Sequence, residues 1–162
     1  MRRILLRIPL LITLLTLCHS LTAQVEVGAD QIEQILTYTA GKRVALTVNH
    51  TSVLSNPQHT HLVDTLLAKG VQVTQLFTPE HGLRGTADAG AAIRSGIDSA
   101  TELPVISLYG QKKKPTPSDL SGIDLMIFDL QDVGVRFYTY ISTLTYLMEA
   151  CAEEQIPLLV LD

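Results

Sequence analysis

The sequence predicts an α/β domain built on a doubly wound, mainly parallel sheet. Two observations carry that prediction. Residues 44–48, 71–77, 105–109, 125–130 and 158–161 form short runs rich in β-branched and apolar side chains with little polar alternation, the pattern of strands covered on both faces. Helical spacing of apolar residues separates several of these runs, so that residues 44–77 read as strand, helix and strand. Such a unit requires parallel strands and a right-handed crossover. With 162 residues, 46% hydrophobic and 17% charged, the chain is long enough for one domain with a substantial core.

The elements follow in order. Arg2, Arg3 and Arg7 precede an uncharged apolar run over residues 8–17, and Ala23 supplies a small residue before Gln24. This is the three-part pattern of a secretory signal peptide, expected over residues 1–23, and the run falls short of the ~20 residues that span a bilayer. Export to the periplasm or beyond the cell is therefore expected, with residues 24–162 as the mature domain. Loss of the leader leaves nine basic against sixteen acidic residues, a net charge of −7. That balance speaks against nucleic acid and anionic membranes as partners. Cys151 then stands alone, so no internal disulfide is possible.

Asp30-Gln31-Ile32-Glu33 has the form of a capping box and opens a first helix over about residues 31–40, closed before Gly41. Asn56-Pro57 offers a cap and a first-turn proline for a second helix, in which Leu62, Val63, Leu66 and Leu67 recur until Lys69-Gly70. A third helix is expected over about residues 139–154, with Ile141, Leu144, Leu147, Met148 and Cys151 on its apolar face. Residues 80–104 carry Gly82, Gly85, Gly90 and Gly96 and show no periodicity beyond a turn near residues 87–93. Irregular connections of that length usually serve a function. Asp162 falls at the carboxyl end of a strand, which leads to the expectation that this is the amino-terminal part of a longer protein.

In a parallel sheet every strand delivers its carboxyl end to one edge, where open α/β folds bind ligands. Asn49-His50, Glu80-His81, Asp129 to Asp132 and Asp162 should gather there. Asn49 and Asp162 are equally well read as helix caps. Glu80 differs, because Glu caps poorly and no strong helix follows it. Pro79 ends the ladder, Gly82 and Gly85 permit tight turns, and burial against Phe77 and Pro79 would favour the protonated form that a general acid needs. Near Asp129, Gln131 and Asp132, Gly134 allows close approach, while Arg136, Tyr138 and Tyr140 supply donors. Arg136 suits either a substrate carboxylate or an internal pair with Asp129 or Asp132.

Several chemistries find no foothold. The first strand-to-helix turn, residues 49–55, lacks the glycines of a dinucleotide site, and neither a Walker loop nor a G-x-S-x-G elbow occurs. His59 and His61 lie two apart and share no helical face, so no metal and no cofactor are expected. Lys112-Lys113-Lys114 reads as a solvated run that could attract an anionic substrate. What remains is carboxylate chemistry supported by His, Tyr and Arg, an inventory that suits glycoside hydrolysis. A sugar-binding module without catalysis and a metal-dependent hydrolase are the competing classes.

Residues 76–85 (LFTPEHGLRG), 104–110 (PVISLYG) and 128–140 (FDLQDVGVRFYTY) resemble a bacterial family long known only as a domain of unknown function, whose recognised members are the NamZ-like exo-β-N-acetylmuramidases. The likeness covers about residues 41–162. It implies a Rossmann-like amino-terminal domain, truncated here before a second, smaller domain of the same full-length chain that flanks the cleft. It implies also an activity that removes terminal N-acetylmuramic acid from peptidoglycan fragments, with Glu80 at the position of the family's catalytic glutamate. Asn49, His81, Asp129, Gln131, Asp132, Arg136 and Tyr138 lie in the matching stretches or beside them and are expected to line the substrate site.

Overall fold

The computed structural model describes residues 26–85 and 95–161; the leader read over residues 1–23, the turn read near 87–93 and Asp162 lie outside the described residues. A 3-10 turn (Gly28–Asp30) leads into α1 (Ile32–Thr39), β1 (Arg43–Val48), α2 (Leu62–Ala68), β2 (Gln72–Thr78), β3 (Gly96–Ile97), β4 (Pro104–Ser107), β5 (Leu125–Asp129), α3 (Tyr140–Glu153) and β6 (Leu158–Val160). The strands form one sheet in the order β3-β4-β2-β1-β5-β6, parallel throughout except for β3 on β4. From β1 the chain winds outward to β2 and β4, then returns to place β5 and β6 on the other side. The winding direction therefore reverses between β1 and β5, and the doubly wound α/β prediction holds.

Alternation along the central strands divides the core into two layers. Val44, Leu46 and Val48 of β1 and Leu125 and Ile127 of β5 join Ile35 of α1 and Leu62, Val63 and Leu66 of α2. Ala45, Met126 and Phe128 point the other way and pack with Leu147, Ala150 and Cys151 of α3. One face thus takes α1 and α2, the other α3. Leu46 is wholly buried at the centre. No helix among the described residues is long and apolar enough to cross a membrane.

Four local readings are corrected. β3 is a two-residue antiparallel edge strand, pairing Gly96 with Val105 and Ile97 with Pro104, too short to leave a period in the sequence. α2 starts at Leu62 under the His61 cap, not at Pro57; Asn56 instead closes a tight turn by accepting from the Thr60 N–H at 3.0 Å. Asp30 does not cap α1 but accepts from the Ser55 N–H at 2.9 Å, tying the amino-terminal segment to the loop after β1. In α3 the buried face holds Tyr140, Thr143, Leu147, Ala150 and Cys151, whereas Ile141 and Met148 are 60% and 54% exposed. The end of α2 is as read: Gly70 is left-handed, its N–H donates to Leu67, and that of Val71 donates to Leu66.

Replacing Leu46 by Ala should cost about 2–5 kcal/mol, because the central strand is held on both sides and cannot close the cavity. Urea denaturation of the two proteins measures it.

Candidate functional site

The corner after β2 is pinned from three directions. Gly82 donates its N–H to the Pro79 carbonyl at 3.3 Å, and both His81 (φ 70°) and Gly82 (φ 73°) are left-handed. A left-handed residue bearing a side chain is strained, and surrounding contacts must hold it. Leu83 is buried among the α2 side of the core. Arg84 bonds both carboxylate oxygens of Asp64 at 3.1 Å and reaches Asp98 at 3.0 Å. Asp64 first, and Asp98 with it, hold the guanidinium above its already high range. Burial pushes the Asp98 carboxyl up, but Arg84 and Thr101 outweigh it and the balance lies below the usual value. Gly85, at φ 67°, lies against His50, where a Cβ would stand 2.8 Å from the ring's Cγ. On this corner the half-buried Glu80 accepts from the Tyr109 hydroxyl at 2.9 Å.

The end of β1 is a hydrogen-bond knot. Asn49 is fully buried; its Oδ1 accepts from the Thr51 N–H at 2.9 Å and the Thr51 hydroxyl at 2.7 Å. Its Nδ2 donates to the Tyr140 hydroxyl at 2.8 Å, joining β1 to the start of α3. His61 completes the knot. Its Nδ1 accepts from the Val63 N–H at 3.3 Å, so the ring proton sits on Nε2 and points at the Asn49 carbonyl, 2.9 Å away. Burial lowers the pKa of this imidazole, with the Asn49 carbonyl pulling the other way. His61 is thus a neutral helix cap.

β5 delivers Asp129 to the same edge, two strand positions from β2 with β1 between. Its Oδ2 is buried without a hydrogen-bond partner among the described residues. Burial pushes this carboxyl up to about 6, against a smaller opposing pull from the Ser52 hydroxyl. Ser52 itself donates to the Asp129 backbone carbonyl and so binds the loop after β1 to β5. A cavity of about 670 Å³ opens here, with Thr51, Asp129, Gln131, Asp132 and Tyr140 in its wall. Glu80 is not in that wall. It is electrically linked to it through Tyr140, whose phenol pKa is raised by burial first, then by Tyr138, with Glu80 among the smaller causes.

The other expected residues divide. Tyr138 is half-buried and meets Tyr140 edge to face, with ring centroids 4.8 Å apart. Gln131 and Asp132 are exposed; Asp132 accepts from the Gly134 N–H at 2.7 Å, an Asx turn within its own loop. Arg136 is exposed, and among the described residues it pairs with neither Asp129 nor Asp132. His81 is half-buried beside Glu80. No group of three or more His, Cys, Asp or Glu among the described residues is placed to hold a metal ion. Of the tyrosines, Tyr140 is among the expected donors, whereas Tyr109 is a site residue that the sequence reading misses. Tyr140 opens a helix, and Tyr109 lies two residues past β4, matching the offset of Glu80 from β2.

The family described as "Exo-beta-N-acetylmuramidase NamZ, N-terminal" matches residues 44–162, most of the chain. The chain belongs to this family. It is 50% identical over 123 residues to the peptidoglycan beta-N-acetylmuramidase NamZ of Bacillus subtilis (strain 168), covering 75% of this chain and 29% of that protein. Two crystal structures of DUF1343 family proteins from Bacteroides fragilis NCTC 9343 share the fold. They superpose with TM-scores of 0.72 and 0.74 at 38% and 42% identity, over 86% and 85% of this chain and 35% and 34% of theirs. The chain thus spans about a third of the length of these relatives.

Two outcomes follow from the site's energetics. The Asp129 proton is held more tightly folded than unfolded, so the cost of burying the ionised form appears as pH rises from about 4 through about 6. Asp129→Asn, which removes that charge, should be more stable than the parent by about 1–3 kcal/mol at pH 8 and indistinguishable from it near pH 3. Denaturant titrations at the two pH values test this. Gly85→Ala should lose about 1–3 kcal/mol, from its left-handed backbone and the clash with His50, read as a fall in Tm.

Proposed function

We propose that the full-length protein is an exo-acting glycoside hydrolase that releases terminal N-acetylmuramic acid from peptidoglycan fragments, with Glu80 as general acid. The observation that carries this reading is the placement of Glu80 and Asp129 at the carboxyl ends of strands two positions apart. Strands spaced by ~4.8 Å set those two backbones about 9–10 Å apart, near the upper end of the ~5–9.5 Å between the carboxyls of glycosidases, with Glu80 turned toward Tyr109 on the side of β2 away from Asp129. Glu80 protonates the departing glycosidic oxygen. Asp129, ionised above pH of about 6, or the substrate's own acetamido group serves the anomeric carbon. Asp132 is a poorer second carboxylate, being exposed and engaged by Gly134.

The named activity of the Bacillus subtilis relative supports the substrate class. Arg136, exposed and without an internal ion pair among the described residues, suits the lactyl carboxylate of muramic acid by bidentate bonding. Asn49, His81, Gln131 and Tyr138 complete the proposed lining, Asn49 acting through Tyr140. The arginine-led apolar leader supports export, which places the enzyme with its cell-wall substrate, and the remaining length of the relatives supports a second domain closing the cleft.

Glu80→Gln in the full-length protein should lower turnover of a muramic-acid-terminated disaccharide by about 10²–10⁴-fold while leaving the melting temperature unchanged. Undiminished release of muramic acid by that variant would remove Glu80 from the chemistry.

A further inference from the structure

The two strands that carry Glu80 and Tyr109 are parallel neighbours with a fixed offset. Thr78 of β2 is paired with Ser107 of β4, and the Leu108 N–H extends the ladder to the Thr78 carbonyl at 2.8 Å. Two residues further along each strand come Glu80 and Tyr109, and their side chains meet at 2.9 Å, phenol hydroxyl to Oε1. Register, not loop geometry, therefore sets this contact. Tyr109 is held in turn by its N–H to the Ser107 hydroxyl at 3.3 Å and by the left-handed Gly110 (φ 78°), which turns the chain away directly after it.

A carboxyl on a glutamate rotates freely about its last torsion, and its two oxygens are interchangeable until something distinguishes them. We propose that Tyr109 is the positioning residue of the acid: by donating to Oε1 it fixes the plane of the Glu80 carboxyl and assigns the transferable proton to Oε2. This inference rests on the proposed glycosidase reading and deepens it. In the step itself the Oε2–H bond breaks as the proton passes to the glycosidic oxygen, the C1–O bond breaks with its electron pair leaving on that oxygen, and C1 takes a new bond from the Asp129 carboxylate or the substrate's acetamido oxygen. The carboxylate that remains keeps the phenol as donor on Oε1. Glu80 also raises the pKa of the phenol, so Tyr109 retains its own proton and stays a donor.

The test compares two substrates in the full-length enzyme. A muramyl disaccharide leaves as a poor alkoxide and needs a well-aimed proton; a 4-nitrophenyl muramide leaves without one. Tyr109→Phe should lower kcat about 10–100-fold on the disaccharide, with KM within about twofold, and lower kcat less than about threefold on the aryl glycoside. The ratio of the two losses does not depend on the fraction of enzyme folded, since an unfolded fraction lowers both alike. Equal losses on both substrates, or no loss on either, overturn the role. Glu80→Gln run alongside separates the failures. If it turns over the disaccharide normally, the glycosidase reading falls and the inference with it; if it is inactive while Tyr109→Phe behaves as the parent, only the role of Tyr109 falls.

Discussion

The site depends on one constraint: β4, β2, β1 and β5 run parallel and in register. Parallel strands share a direction, so each must deposit its last residues on the same edge. The ladders fix the levels as well. Thr47 is paired with Phe77 on one side and Phe128 on the other, and Thr78 with Ser107. Reading across the edge in strand order gives Tyr109 and Glu80 at one level, Asn49 one residue short of it and Asp129 two residues short. Segments far apart in the chain become a staggered row, carried on strands about 4.8 Å apart. A one-residue slip in any ladder would turn that strand's side chains to the opposite face and break the row. The irregularity between Val44 and Ala45, where Thr74 is passed over, belongs to this alignment.

That row explains how much was readable beforehand. The strands announced themselves because both faces are covered, and the parallel rule then placed Asn49, Glu80 and Asp129 together without any long-range information. What escaped was set by contacts instead of periodicity. β3 exists because Pro104 and Val105 offer an edge, not because Gly96-Ile97 prefers to be extended. His61 displaced Asn56 as the cap of α2 because the Val53–His61 bridge and the Asn49 carbonyl hold the imidazole at the helix start. In α3 an apolar face that reads equally well through Ile141 and Met148 was rotated by Tyr140, which must turn inward to meet Asn49. Tyr109 carried no signal of its own. Its place followed from counting equal offsets along two paired strands, which requires knowing that they pair.

The polar groups at this edge are satisfied unequally. Around Asn49 the accounting nearly closes: both partners of its carbonyl oxygen are supplied by Thr51, its amide reaches Tyr140, and its backbone carbonyl takes His61. Such a network stiffens the end of β1 because releasing any member leaves a buried polar group unpaired. One strand over, Asp129 has a buried oxygen with no partner among the described residues, and its proton affinity rises accordingly. Strain and unpaired polarity are tolerated where neighbouring structure over-determines the position. The left-handed His81 is a second instance, held between Pro79 and the Arg84 clamp.

The identity of the residue between the two acids also follows from electrostatics. Asn49 is fully buried, one residue beyond Val48, the ladder partner of Asp129. A carboxylate in its place would carry a charge into the interior, which costs several kcal/mol unless it is paired. The amide serves a second purpose that a carboxylate could not: it donates to Tyr140, and so anchors the start of α3 at the edge where Glu80 and Asp129 stand. Asn49 thus joins the end of β1, the most deeply buried strand of the sheet, to the start of α3 through an uncharged link.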